Sequence, residues 1–140
     1  MALELGSLEK AVEALDNAIN SYSANKDNET LSKNDKDTLK SGVIQSFEVA
    51  YELCWKFMKR WLDENAPGQV VDGVTMKELF RMAAERQLIK DVPAWFGYHK
   101  VRNLTAHTYD AKAAKEAFKA ATNFIFNAKE LLKVLESKND

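Results

Sequence analysis

From about Lys36 to Glu64, apolar residues recur at helical spacing over many turns: Val43, Phe47, Ala50, Tyr51, Cys54, Trp55, Met58, Trp61 and Leu62. A stripe of that length reads as one long helix, and its aromatic load makes it the central pillar of whatever the chain builds. The pattern stops near Asn65-Ala66-Pro67-Gly68, where proline cannot continue the hydrogen-bond ladder and glycine tolerates the turn.

The rest of the chain arranges itself around this pillar. A helix is expected from about Leu3 to Ala24, with Leu8, Val12, Leu15, Ala18, Ile19 and Tyr22 on one stripe. Asn25 to Asp37 is rich in Asn, Asp, Ser and Thr and reads as a polar loop or the frayed start of the pillar. Val70 to Val74 reads as a connector. Thr75-Met76-Lys77-Glu78 has the capping-box pattern and opens a short helix to about Gln87, with Leu79, Phe80, Met82 and Ala83 inward. Asp91-Val92-Pro93 opens a fourth helix that carries Trp95, Phe96, Tyr98, Val101 and Leu104 and ends near Ala106. Asp110 caps a last helix to about Glu136, striped by Ala114, Ala117, Phe118, Ala121, Ile125, Ala128, Leu131, Leu132 and Leu135. Ser137 to Asp140 is expected to fray. Short loops between long amphipathic helices favour antiparallel neighbours. The expected fold is therefore all-α: an up-down antiparallel four-helix bundle with an extra short helix, in a single domain spanning residues 1–140.

Composition narrows the function. The 140 residues include 20 basic and 21 acidic side chains, for a net charge of −1. That balance argues against a strongly basic coat for DNA or RNA and leaves room for a small local patch. The one cysteine, Cys54, excludes an internal disulfide and a multi-cysteine zinc site and suits a reducing cytosol. No segment is long and apolar enough for a bilayer, and the N-terminal stretch lacks the features of a signal peptide, so a cytoplasmic protein without a membrane partner is expected. Glycine-rich phosphate loops, paired zinc ligands and a serine-nucleophile elbow are absent from the sequence, so neither a cofactor nor a metal is expected.

The polar residues that could do chemistry gather in Arg102-Asn103-Leu104-Thr105-Ala106-His107-Thr108-Tyr109. Arginine stabilises phosphate charge, and histidine moves protons near neutral pH. On a continuous helix His107 would point about 140° away from Arg102. The two converge only if the helix ends between them, or if a second copy supplies the partner. Together they suffice for RNA cleavage without a metal: the 2′-hydroxyl loses a proton, the 5′-oxygen gains one, and arginine offsets the phosphorane charge. A helix C-terminus favours the protonated imidazole of His107. Asn103 and Tyr109 could orient phosphate or base, and His99, three residues before Arg102, is a second candidate proton carrier. Lys112, Lys115 and Lys119 share one helical face beside the motif and could track a phosphate backbone.

Each of these has a plainer reading. An Arg and a His at a helix end are often a cap and a surface salt bridge, and the lysine row fits a solvated face. Trp55, Trp61 and Trp95 suit a core or a dimer interface, and Cys54 suits an inert core position. Glu48 and Glu52, one turn apart, could bind a metal, although ordinary ion pairing is favoured because no matching ligand set is visible. The aromatic surplus on the second and fourth helices exceeds what a small interior easily holds, which points to a homodimer interface.

Two segments carry a resemblance. Arg102 to Tyr109 fits R-x4-H-x-Y in full, and the pillar contains Ile44-Gln45-Ser46-Phe47-Glu48-Val49-Ala50-Tyr51-Glu52-Leu53-Cys54-Trp55-Lys56. Over essentially its whole length the chain resembles the nucleotidyltransferase substrate-binding proteins, a branch of the HEPN superfamily. The resemblance implies a homodimeric bundle paired with a separate minimal nucleotidyltransferase, often as a toxin–antitoxin module. It implies Arg102 and His107 as the catalytic pair of a metal-independent endoribonuclease acting on RNA, with Asn103 assisting and Tyr109 as the residue that the partner adenylylates. Other members of that family are substrate-binding subunits, so a non-catalytic subunit of a two-component nucleotidyltransferase remains the alternative.

Overall fold

The computed structural model describes residues 2–66, 68, 71–107 (without the His107 side chain) and 110–139. Its helices are α1 (Gly6–Asn25), α2 (Lys33–Asn65), α3 (Met76–Glu85), α4 (Val92–Leu104) and α5 (Ala111–Lys138), with a 3-10 turn, Thr105–His107, after α4. The architecture is the expected up-down bundle. Helices α1, α2, α4 and α5 pack around one core, and α3 braces α4 and α2.

Local chemistry sets the helix starts. Asp35 N–H donates to Ser32 Oγ (3.0 Å) and Ser32 N–H to Asp35 Oδ2 (3.2 Å), a capping box that starts α2 three residues before the apolar pattern implied. Thr75 Oγ1 accepts from Glu78 N–H (3.1 Å), Asp91 Oδ1 from Ala94 N–H (3.0 Å) and Asp110 Oδ1 from Lys112 N–H (2.9 Å), so the three predicted caps stand. Helix α3 is followed by Arg86, its C-cap, and by Gln87, at φ 63°. There Leu88 N–H donates to the Ala83 carbonyl and Gln87 N–H to that of Ala84, a Schellman closure in a left-handed conformation that glycine more often fills.

Both ends of the chain depart from expectation. Helix α1 starts at Gly6 rather than Leu3, and α5 continues to Lys138 where fraying was expected. The reason is one contact: Leu3 N–H donates to Asn139 Oδ1 (2.7 Å) while Asn139 Nδ2 donates to the Leu3 carbonyl (3.0 Å). The backbone of Leu3 is spent on the far end of the chain, and the final turn of α5 is tied down.

The core is aromatic and centred on Phe124 of α5. Its ring meets those of Phe47 (5.2 Å), Trp95 (5.4 Å) and Tyr98 (5.0 Å), all edge-on, the arrangement that ring quadrupoles favour. Phe124 and Phe57 were absent from the expected stripes, yet both are fully buried. Ala114, Phe118 and Leu132, expected inward, are only half-buried. The aromatic load is split: Phe47, Tyr51, Phe57, Phe80, Trp95 and Phe124 are enclosed, whereas Trp55, Trp61 and Phe96 are half-covered. Among the described residues the most exposed aromatic is Phe126, at 70%, on α5 rather than on α2 or α4 where the surplus was expected. Ala117, Ala121 and Ala128 of α5 are fully buried and add little volume to the interior. Among the described residues, no helix is long and apolar enough to cross a membrane.

Candidate active site at the end of helix α4

Helix α4 stops at Leu104, between Arg102 and His107, and the chain turns through Thr105–His107 in 3-10 form. This is the break that the spacing of the two residues requires, two residues earlier than expected. Thr105 accounts for its position. Thr105 Oγ1 donates to the Arg102 carbonyl (2.7 Å) and accepts from Arg102 Nη1–H (3.0 Å). One buried hydroxyl thus satisfies a carbonyl at the helix end and holds the guanidinium that leaves from the same residue.

The other face of the guanidinium meets α2. Arg102 Nε lies 3.4 Å from Glu52 Oε1, and Nη1 lies 4.0 Å from Glu48 Oε2. Nε itself is shielded from solvent and lacks a hydrogen bond of good geometry. The pair of carboxylates read as ion-pairing residues are therefore ion-paired, and their shared partner is the motif arginine. Three side chains bracket a planar fork that is two-thirds covered, which limits the directions in which its free N–H groups can point.

One turn back on α4, His99 Nδ1 and the Tyr51 hydroxyl share a hydrogen bond of 2.9 Å. Phe96 stacks on the His99 ring at 6.1 Å. Burial pushes the Tyr51 phenol well above its ordinary pKa, with the Glu52 charge adding to the effect and Arg102 opposing it. Burial likewise pushes the Cys54 thiol up, leaving it an inert core residue. His99 and Arg102 therefore stand side by side on α4, each held by α2: the first by Tyr51, the second by Glu52 and Glu48.

The remaining candidate residues lie around this corner. Asn103 is exposed at the end of α4, and no described hydrogen bond joins it to Arg102. The side chain of His107, and Tyr109 altogether, lie outside the described residues. Lys112, Lys115 and Lys119 are all exposed on α5; Lys115 borders a groove between α2 and α5, and Lys119 one between α4 and α5. Among the described residues, no three His, Cys, Asp or Glu side chains come together for a metal. Sequence reasoning missed Thr105 and Tyr51 as parts of this site. The available signal was the four-residue spacing of Glu48 and Glu52 around Tyr51, which puts all three on one side of the pillar.

The chain as a whole is similar to known proteins in sequence and in fold. A Haemophilus influenzae protein named probable ribonuclease HepT is 36% identical over 105 residues, covering 74% of this chain and 72% of that protein. A solved H. influenzae structure, described as revealing the fold of a substrate-binding domain of a nucleotidyltransferase, superposes with a TM-score of 0.89 at 31% identity. The match covers 95% of this chain and 99% of that one. A Thermus thermophilus structure shares the fold at a TM-score of 0.64 and 24% identity, over 86% of this chain and 98% of its own. The family model described as nucleotidyltransferase substrate binding protein like matches residues 3–137, so a helical bundle with an arginine clamped at the break of α4 belongs to that family.

Proposed function

We propose that this protein is an endoribonuclease of the HEPN type that needs no metal, the toxin of a toxin–antitoxin pair controlled by a separate minimal nucleotidyltransferase. The observation that carries the reading is the clamped guanidinium of Arg102 at the break in α4, five residues before His107. Preorganised charge at the place where phosphorane charge develops stabilises the transition state more than the ground state. In this reading the 2′-oxygen attacks phosphorus as its proton leaves, the bond to the 5′-oxygen breaks, and that oxygen receives a proton. The products are a 2′,3′-cyclic phosphate and a free 5′-hydroxyl. Arg102 offsets the charge and His107 moves a proton, while Asn103 orients the phosphate and His99 is the supporting second carrier. Two copies pack into a homodimer and bring two such corners together. The partner adenylylates Tyr109 and silences cleavage. The name borne by the 36%-identical H. influenzae relative supports this reading. The test is cleavage of RNA by the purified chain with and without His107→Ala: the substitution should abolish both cleavage and growth arrest, and unchanged cleavage would remove the proposal.

A second reading draws on the same clamp. Glu48 and Glu52 oppose the Arg102 charge, which suits a non-catalytic substrate-binding subunit of a two-component nucleotidyltransferase. It predicts tight co-purification with the partner and no cleavage by the chain alone.

A further inference from the structure

The N-terminal halves of α2 and α5 border a groove of about 680 Å³ that shares Glu48 with the corner above. Lys33 and Lys40 of α2 and Lys115 of α5 border it, all exposed, while Ile44, Ala114 and Phe118 form its more covered floor. Lys40 Nζ sits 5.6 Å from the Tyr22 ring and 5.8 Å from that of Phe118, so its charge is drawn over the aromatic part of the groove. Ser41 and Gln45 add neutral hydrogen-bonding groups. The acids on the lining are Asp37 and Glu48, and Glu48 is the carboxylate that faces Arg102. Glu48 thus stands between the groove and the clamped guanidinium.

We infer that this groove binds a segment of single-stranded RNA, with its phosphates on Lys33, Lys40 and Lys115 and a base against Phe118. Lys33 and Lys40 stand two helical turns apart, about 10 Å along α2, and Lys115 comes from a different helix. Cations spread in that way match the spaced charges of a strand better than the concentrated charge of a free triphosphate. An apolar aromatic floor between cationic walls is what strands without sequence preference use. Of the row Lys112, Lys115 and Lys119, Lys115 lines this groove. Naming RNA rests on the nuclease reading above; binding of the strand does not require cleavage, so the two can fail separately.

The test is fluorescence anisotropy of a labelled single-stranded RNA oligonucleotide with the full chain carrying His107→Ala, so that cleavage does not interfere. Lys33→Glu with Lys115→Glu should weaken binding at least about tenfold and flatten the salt slope of log K by about 1.4, two single-strand phosphate contacts. Reversal of Lys10 and Lys133, outside the groove, should do much less. An acid at position 33 favours the first turn of α2, and Lys33→Ala with Lys115→Ala serves as the milder pair, with circular dichroism confirming the fold. Absence of RNA binding, equal affinity in the groove variants, or displacement of the strand by an equal concentration of ATP would overturn the inference. Wild-type cleavage retained in full by the groove variants would sink the groove and leave the nuclease reading standing. Lysine-dependent binding without cleavage would do the reverse.

Discussion

Arg102 Nε lies 3.4 Å from Glu52 Oε1, across the contact between α4 and α2. The long pillar helix and the short helix that carries the motif are therefore joined by charge at the point where the proposed chemistry occurs. An arginine free in solvent samples many rotamers. This one is held by a hydroxyl on its own turn and by two carboxylates on a neighbour.

That clamp makes Glu52 a positioning residue with a measurable signature. Glu52→Gln keeps the shape but removes the charge that faces the fork, and should lower kcat for RNA about tenfold, a barrier change of about 1.4 kcal/mol. KM should stay level or fall, because a negative charge near the phosphate is removed. Arg102→Ala should abolish cleavage outright. A Glu52→Gln enzyme with unchanged kcat would mean that the clamp does not matter to the reaction.

The Tyr51–His99 hydrogen bond predicts a tautomer. A phenol kept protonated by burial is a donor, so Nδ1 of the neutral ring should accept and Nε2 should carry the proton. Nitrogen chemical shifts of His99 should report this directly. Tyr51→Phe should release the preference and cost about 1 kcal/mol in urea unfolding.

Phe124 predicts the largest loss of stability. Its ring is fully buried among Phe47, Trp95 and Tyr98, so Phe124→Ala leaves a cavity that close-packed aromatic neighbours cannot fill. The expected cost is about 3–5 kcal/mol by urea unfolding. Phe126→Ala, at an exposed site on the same helix, should cost a few tenths at most in the monomer.

A pH effect follows from the 2.7 Å ion pair of Lys59 with Asp72, which joins α2 to the connector before α3. The hydrogen bond and charge of Lys59 hold the Asp72 carboxyl below its ordinary pKa, and Asp72 raises that of Lys59 by the same two causes. A lowered carboxyl pKa adds stability that is complete above the usual carboxylate range near about 4 and disappears as the pH falls through the lowered value. Asp72→Asn should therefore unfold at a slightly lower temperature than wild type at neutral pH, and the gap should close in strong acid. Because both groups are exposed, about 1 M salt should also close it.

Much of the fold was legible before any coordinates. The stripes of α1 and α2 and the caps at Thr75, Asp91 and Asp110 all stand, because spacing and capping are local properties of the chain. Burial within a stripe was less legible. Phe124 and Phe57 turned out to be central while Phe118 and Leu132 lie at the margin, since a periodic pattern shows a face but not the line along which neighbours meet it. The candidate site was legible in its motif residues and illegible in its supports. Glu48 and Glu52 lie about fifty residues from Arg102 in the chain, as Tyr51 does from His99, and nothing in the spacing of either segment says that the two segments touch.

The sequence by itself determined the helices, the caps that start the last three of them and that α4 ends between Arg102 and His107, because hydrogen-bonding caps and apolar periodicity act over one or two turns. Only the tertiary structure decided what Arg102 is held by, that Lys115 borders the same groove as Lys33 and Lys40, and that Leu3 closes against Asn139. Those pairings are made by helices packing side by side, and packing brings together residues whose separation along the chain carries no information about their separation in space.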